Sequence, residues 1–447
     1  MAASRLNAVS PLALTGHRHA FDRLRAWGAV LVVILHASNS YLLYPMPGLV
    51  WHVRHPQPNA MIDGVFWLIA GFIMPLFLVV SGYCAAQSLE QKTPWQFFRA
   101  RRKRVLLPFI LAAACLLPLE LYLWLITWVA DGHLEPVKLR SLKLGPYHAG
   151  LWGFSHLWYL QYLFLYSALL AAATHWGRHW APVQKYWGQR GQKERLAIRL
   201  CCLAVAAGVS ILLLTWQPRV VVGFQHSFAP VASKFAWCGL FFLWGVVWRW
   251  AEVAARPQRP DPAVPPHEAV TLKFPAAFDE SSGALRRLAP EVLVATGLIS
   301  LAVLLSVMGM LRQDPNGFSS ILLATVLTIW AASAVLLLWR VAERLPGTPS
   351  SLTRYLSEAS FWIYLVHHPI VAIWQLGLRE TGWSAMSQFL AVIAGTCACC
   401  LGLYEVAVRR TALGALLNGT PQPRPSALSE NQEHLVTVAQ ETIKKAA

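Results

Sequence analysis

Ten stretches of mainly apolar residues, each about 20 long, punctuate the chain near 23–44, 61–84, 105–129, 156–176, 197–215, 232–250, 290–311, 318–339, 358–378 and 386–408. About 20 helical residues cover the hydrocarbon core of a bilayer, so each stretch predicts a transmembrane helix. The polar intervals are short except at 130–155, 177–196, 251–288 and the tail. The predicted fold is therefore an all-α polytopic membrane protein with about ten transmembrane helices. Even numbers of crossings return the chain to its starting side.

Composition agrees. The 447 residues are 56% hydrophobic and only 13% charged, where soluble domains carry about 25% charged residues. Mean hydropathy is +0.45. The 21 tryptophans suit a chain with many bilayer interfaces, where indoles collect. Cys84, Cys115, Cys201, Cys202, Cys238, Cys397, Cys399 and Cys400 fall in or beside apolar runs without metal-ligand or disulfide-framework spacing. They read as small packing residues, and no metal is expected. The segment Met1 to Asp22 lacks an apolar core, so no cleaved signal peptide is expected.

The net charge of +17 raises the possibility of a nucleic-acid partner, but its distribution excludes that reading. With the N-terminus inside, and each interval counted with its flanks, the inner segments hold 30 of the 38 Lys and Arg and the outer ones 8. Such a bias places both termini in the cytoplasm and makes the charge an orientation signal. Residues 251–288 are rich in proline and charge and read as a disordered cytoplasmic loop. Residues 418–447 read as a polar, mobile cytoplasmic tail, which leaves 1–417 as one membrane domain. No internal repeat is visible, which weakens transporter architectures built on repeats.

Against this background a few polar residues stand out. His36 lies in the middle of the first stretch, and Arg25 precedes it by eleven residues. Eleven helical residues make just over three turns, so both side chains lie on nearly one face, about 16 Å apart along the axis. An ionisable group near the midplane is a functional candidate by default. The functional reading is a general base in a partly dry site. The structural reading is an interhelical hydrogen bond, with Arg25 a snorkelling anchor.

Phe77-Leu-Val-Val-Ser81-Gly82-Tyr83 precedes the basic run Arg99-Ala-Arg101-Arg102-Lys103-Arg104. Ser81-Gly82 suits a small-residue helix contact. The arginines serve either as orientation signals or as a grip on the phosphates of an anionic donor such as coenzyme A. At the outer end of the fourth stretch, Ser155-His156-Leu157-Trp158-Tyr159 is either interfacial or faces an outer substrate. Glu358 to Pro369 contains Tyr364-Leu365-Val366-His367-His368-Pro369. Adjacent histidines point about 100° apart, so at most one faces a given cavity. Pro369 frees a carbonyl one turn earlier and suggests a kink. Glu405 and Arg409, four residues apart, read as a structural pair. Glu120, deep in the third stretch, has a possible cavity role that nothing in the sequence supports.

In this order the motifs resemble membrane acyltransferase family 3: Arg25 before His36, Ser81-Gly82, Arg101 with Arg104, and Tyr364-Leu365-Val366-His367. The segments Leu24-Arg25-Ala26-Trp27, Val80–Tyr83, Ser155–Trp158, Ile363–Pro369 and Leu403-Tyr404-Glu405 look most like its branch that succinylates osmoregulated periplasmic glucans. Spans five to eight match in hydropathy alone, and the loop 251–288 looks longer than that branch usually has. The resemblance implies an inner-membrane O-acyltransferase that moves an acyl group from cytoplasmic acyl-CoA (succinyl-CoA or acetyl-CoA, as co-substrate) to a periplasmic sugar hydroxyl. It implies His36 as catalytic base and Arg25, Arg101 and Arg104 as donor-binding. It leaves His156, Trp158, His367 and His368 to the acceptor or the acyl group. Ser81, Gly82, Tyr364, Pro369 and Glu405 are structural in this reading. A succinyl carboxylate in a dry site needs a cationic or donor-rich partner. Partners are then acyl-CoA, a glucan or other polysaccharide, membrane lipids and the glucan-synthesis machinery. Rival readings are an O-acetyltransferase of another surface glycan, a proton-coupled transporter with a histidine relay, and a non-enzymatic exporter subunit.

Overall fold

The computed structural model describes residues 11–141, 151–176, 192–254, 290–310 and 317–418. Every one of the ten apolar stretches carries a helix, and no strand occurs among the described residues. We number the long helices α1 (Pro11–Ala37), α2 (Ala60–Leu89), α3 (Pro94–Arg101), α4 (Leu107–Ala130), α5 (Trp158–Trp176), α6 (Gln192–Trp216), α7 (Ala232–Ala254), α8 (Pro290–Met310), α9 (Gly317–Arg344), α10 (Ser351–Leu378) and α11 (Ala385–Leu403).

By length and composition, six of these are apolar enough to cross a membrane: Ala60–Leu89, Pro94–Ala130, Ser155–Trp176, Phe318–Arg344, Ser351–Leu378 and Ala385–Val408. The remaining apolar stretches fall short for visible reasons. α1 carries Arg23, Arg25 and His36, while α7 carries Lys234, Arg249 and four tryptophans, which lower hydropathy. The apolar parts of α6 and α8 are the shorter segments Ala204–Trp216 and Val294–Gly309.

Two boundaries differ from the sequence reading. α7 runs to Ala254, so the first four residues of the 251–288 segment are helical; the rest of it, and the tail from 419, lie outside the described residues. The third span is joined to α3 by a π-helical turn at Arg102–Leu106, in which the Leu107 amide bonds the Arg102 carbonyl. Pro108 has no N–H to close the regular bond to Arg104, which favours the wider turn at that point.

The bundle is built on close pairs. α2 lies against α7 and α1 against α10. A Cβ on Gly82 would collide with the Phe242 carbonyl, and one on Gly245 with the Val79 carbonyl. The small residue at 82 therefore lets two backbones touch, as its sequence context suggested. Around this seam Trp339 is fully buried and stacks on Trp248 with ring centres 4.6 Å apart. One turn beyond this seam, Arg249 donates to both Glu90 carboxylate oxygens at 2.6 and 2.7 Å and to the Tyr83 hydroxyl at 3.1 Å. Arg23 is buried and donates to the carbonyls of Ala342 and Gly347, both at 2.7 Å, which ties α1 to the end of α9.

Candidate active site

Four histidines and a glutamate that are distant in sequence meet where α1, α4, α5 and α10 converge. His36 comes from α1, and its ring centre lies 5.0 Å from that of His367 and 4.9 Å from that of His368. The His156 ring stacks on His368 at 4.6 Å. Glu120, from α4, brings Oε1 to 3.0 Å from His156 Nδ1 and 3.1 Å from His368 Nδ1. Both approaches are within contact distance of the carboxylate and become ion pairs when the imidazole is protonated. Glu120, His156, His367 and His368 are all buried, at 5, 4, 0 and 4% exposure.

Local backbone chemistry aims each ring. Pro369 has no amide to bond the Leu365 carbonyl, and His156 Nε2 takes that acceptor at 3.0 Å. A carbonyl only accepts, so Nε2 carries the hydrogen and Nδ1 is turned toward Glu120. His367 Nδ1 likewise donates to the carbonyls of Ile363 and Tyr364, both at 2.9 Å, which leaves Nε2 buried without a partner. His36 Nδ1 is also buried and unpartnered. Ser155, beside His156, has φ of +47°, a strained value for a residue with a side chain, and it turns the chain from the preceding loop into α5. The Tyr364 hydroxyl clamps this turn by donating to the His156 carbonyl at 2.6 Å.

A cavity of about 120 Å³ opens beside the cluster. His36, His156 and His368 line it, whereas His367 is enclosed behind them. The 100° separation of the paired histidines thus puts one in the wall, although both rings touch His36. The loop after α1 roofs the cavity. Asp63 accepts the amides of Leu43 and Tyr44 at 2.7 and 3.0 Å. Trp51 donates to Ser40 and Gln375 at 3.0 and 2.8 Å, and Gln375 donates to the Ala37 carbonyl at 2.9 Å. Beside it, His52 donates Nε2 to the Ala372 carbonyl at 3.1 Å, and burial pushes its pKa down to about 4.

Arg25 and the arginines of the basic run gather at the other end. Arg25 is exposed on α1, Arg101 is half-buried with its guanidinium 5.0 Å from the Phe97 ring centre, and Arg104 is exposed in the π-turn. Arg25, Arg101 and Arg249 all stand within electrostatic reach of Cys84. Hydroxyls link the two ends. Arg101 is within reach of Tyr159, whose hydroxyl is 2.8 Å from the Ser81 hydroxyl; the Tyr159 ring lies 5.8 Å from Tyr364. Glu405 and Arg409 form their expected pair at 2.8 Å, in a second π-turn at Tyr404–Val408.

Compared with known proteins, the chain matches the acyltransferase-3 family model, described as an acyltransferase domain, over residues 18–405. The chain belongs to this acyltransferase family. Among curated proteins it is similar to "Glucans biosynthesis protein C" of Salmonella heidelberg, Salmonella agona and Salmonella enteritidis. Each is 23% identical over 407 residues, which is 90% of this chain and 94% of that protein. No solved structure matches. The chain is thus an acyltransferase-3 membrane protein related to glucans biosynthesis protein C.

Several residues of the cluster and its cavity wall could not be read from the sequence. Glu120 had no support until α4 placed it between two histidines. Lys234, His226, Trp51 and His52 were not singled out; the only available signal was a lone lysine just inside an apolar stretch, which is itself unusual. Glu120, His156 and His368 also form the only group of His, Cys, Asp or Glu among the described residues with ligand atoms close enough for a metal, within 4.8 Å of one another. That donor set comes from three separate segments, so sequence spacing could not show it.

Proposed function

We propose that this acyltransferase moves an acyl group, succinyl in the first instance, from cytoplasmic acyl-CoA to hydroxyls of periplasmic glucans. In this reading residues 1–417 form one domain with ten crossings of the bacterial inner membrane. Both termini, the 251–288 segment and the 418–447 tail lie in the cytoplasm. The charge asymmetry along the chain supports that orientation, and likeness to glucans biosynthesis proteins supports the acceptor. Acetyl transfer to another surface glycan differs only in the two substrates.

One observation carries the chemistry. His36 presents an unpartnered ring nitrogen beside a cavity, against the rings of His367 and His368, and His368 is in turn backed by Glu120. In the proposed reaction Arg25, Arg101 and Arg104 bind the phosphates of the donor, and its thioester reaches the cavity past Ser81 and Tyr159. His36 takes the proton of a sugar hydroxyl as that oxygen attacks the thioester carbonyl carbon. The tetrahedral intermediate collapses with cleavage of the C–S bond, and the departing thiolate recovers the proton from His36. The products are the sugar ester and coenzyme A. His156 and His368, paired with Glu120, orient His36 and the acceptor, and His367 supports His36 from behind. Trp158 offers an aromatic face to a sugar or acyl chain.

The test is mass spectrometry of periplasmic glucans from cells that carry the wild-type chain, His36→Ala or no copy. The wild type adds the mass of succinyl groups, and His36→Ala lowers this by about 10³ at equal protein level. Acylation by His36→Ala at the wild-type rate would overturn the assignment.

A further inference from the structure

Lys234 takes no part in the steps above, and its surroundings are unusual. It lies in the first turn of α7, is 8% exposed, and is, among the described residues, the only Lys, Arg, Asp or Glu in the wall of the cavity that His36 lines. Among the described residues no carboxylate pairs with its ammonium. Its visible partners are aromatic: Nζ sits 3.6 Å from the Trp158 ring centre and 5.1 Å from that of Phe224. Cation–π contacts of this kind offset only part of the cost of burying a charge. A buried lysine is normally paired with an anion, because an unpaired charge there is costly.

A second, independent observation points to the same spot. His226 also lines the cavity, within electrostatic reach of Lys234, and both of its ring nitrogens are buried without a partner. One of them must carry a hydrogen, so a donor is unspent there. Burial, with His368 and Lys234 nearby, pushes the pKa of His226 down to about 4. Its loop is fixed rather than loose. Phe154 N donates to Ser227 O at 3.3 Å, and Phe224 N donates to Pro47 O at 2.8 Å. A Cβ on Gly153 would collide with the Ser227 amide, and one on Gly48, at φ +78°, with the Phe224 carbonyl.

We propose that Lys234 and His226 form the subsite for the free carboxylate of a short dicarboxylic acyl group, and so select a succinyl-type donor over an acetyl-type one. The inference rests on the acyl-transfer reading and gives it a specificity residue. Lys234 supplies the counter-charge and His226 an N–H, while the cavity joins them to the base. Its roughly 120 Å³ is close to the volume of about 150 Å³ of a cavity that holds one benzene ring. That suits a short acyl chain or one sugar ring and excludes an oligosaccharide from the pocket itself.

Two measurements on the purified full chain test this. The first is binding of a thioether analogue of succinyl-CoA, which cannot transfer, against the acetyl analogue. Wild type should prefer the succinyl analogue, and Lys234→Met should lose about thirtyfold in that preference, with Lys234→Arg restoring most of it. The second is the ratio of succinyl to acetyl transfer onto a neutral glucan, which should fall by a similar factor in Lys234→Met. Equal losses for both donors, or an unchanged preference in Lys234→Met, overturn the subsite; equal losses would move the anion to the acceptor side. Selective binding without any transfer would keep the subsite and overturn the acyl-transfer reading. Equal elution of the variants from size exclusion shows that they are folded.

Discussion

The two charged regions of this acyltransferase are built on opposite terms. Arg25 and Arg104 are exposed, and the half-buried Arg101 rests on Phe97. His156, His367, His368 and Glu120 are almost wholly enclosed, and each is positioned by another member of the cluster or by a backbone carbonyl. A guanidinium in water is already solvated, so placing it there costs little and removing it leaves nothing stranded. A buried imidazole beside a carboxylate is different, because losing one partner leaves the other as an unpaired polar group in a dry site. The arginine end should therefore respond to substitution gradually and the histidine end abruptly.

The largest effect that would break this contrast is at Glu120. Glu120→Gln keeps the shape but removes the charge that His156 and His368 share. We expect kcat to fall by about 10³, within the range of lost acid–base function, while the variant still elutes as a folded protein. A fall of tenfold or less would mean that the cluster is not a unit. The same preparation addresses the metal-like spacing of Glu120, His156 and His368. If the carboxylate acts as a counter-charge, dialysis against a chelator leaves the wild-type rate unchanged. A loss on chelation that zinc restores would reassign the three as ligands.

The contrast also explains what could be read from the sequence. Helix length and composition report local chemistry, so the ten helical stretches, the Glu405–Arg409 pair and the Gly82 contact were legible. His36 was legible because an ionisable residue inside an apolar stretch is costly wherever the chain folds. Pro369 announced a free carbonyl, but not that a histidine more than 200 residues earlier would take it. Glu120 and Lys234 carried the same intramembrane signal as His36. They lacked a neighbour in sequence to give it meaning, since their partners come from other helices. The π-turn at Arg102–Leu106 was illegible too, because the basic run and Leu107-Pro108 fit a regular helix start as well.

The smallest effects sharpen the comparison at its gradual end. Arg101 is the half-buried member, within reach of Cys84 and Tyr159, where the donor would pass toward the cavity. Arg101→Ala should raise KM for acyl-CoA about tenfold and leave kcat within about twofold, the loss expected of a charge-assisted contact that is equal in ground and transition states. Arg104 lies further along the π-turn in water, so Arg104→Ala should raise KM only about threefold, and more at low ionic strength than at high. A kcat defect at Arg101 matching that of Glu120→Gln would show that Ser81 and Tyr159 couple the two ends into one site. Equal KM effects at both arginines would show instead that burial is not what sets their weight. The ratio of the two KM changes is thus a direct reading of how far the donor enters the bundle.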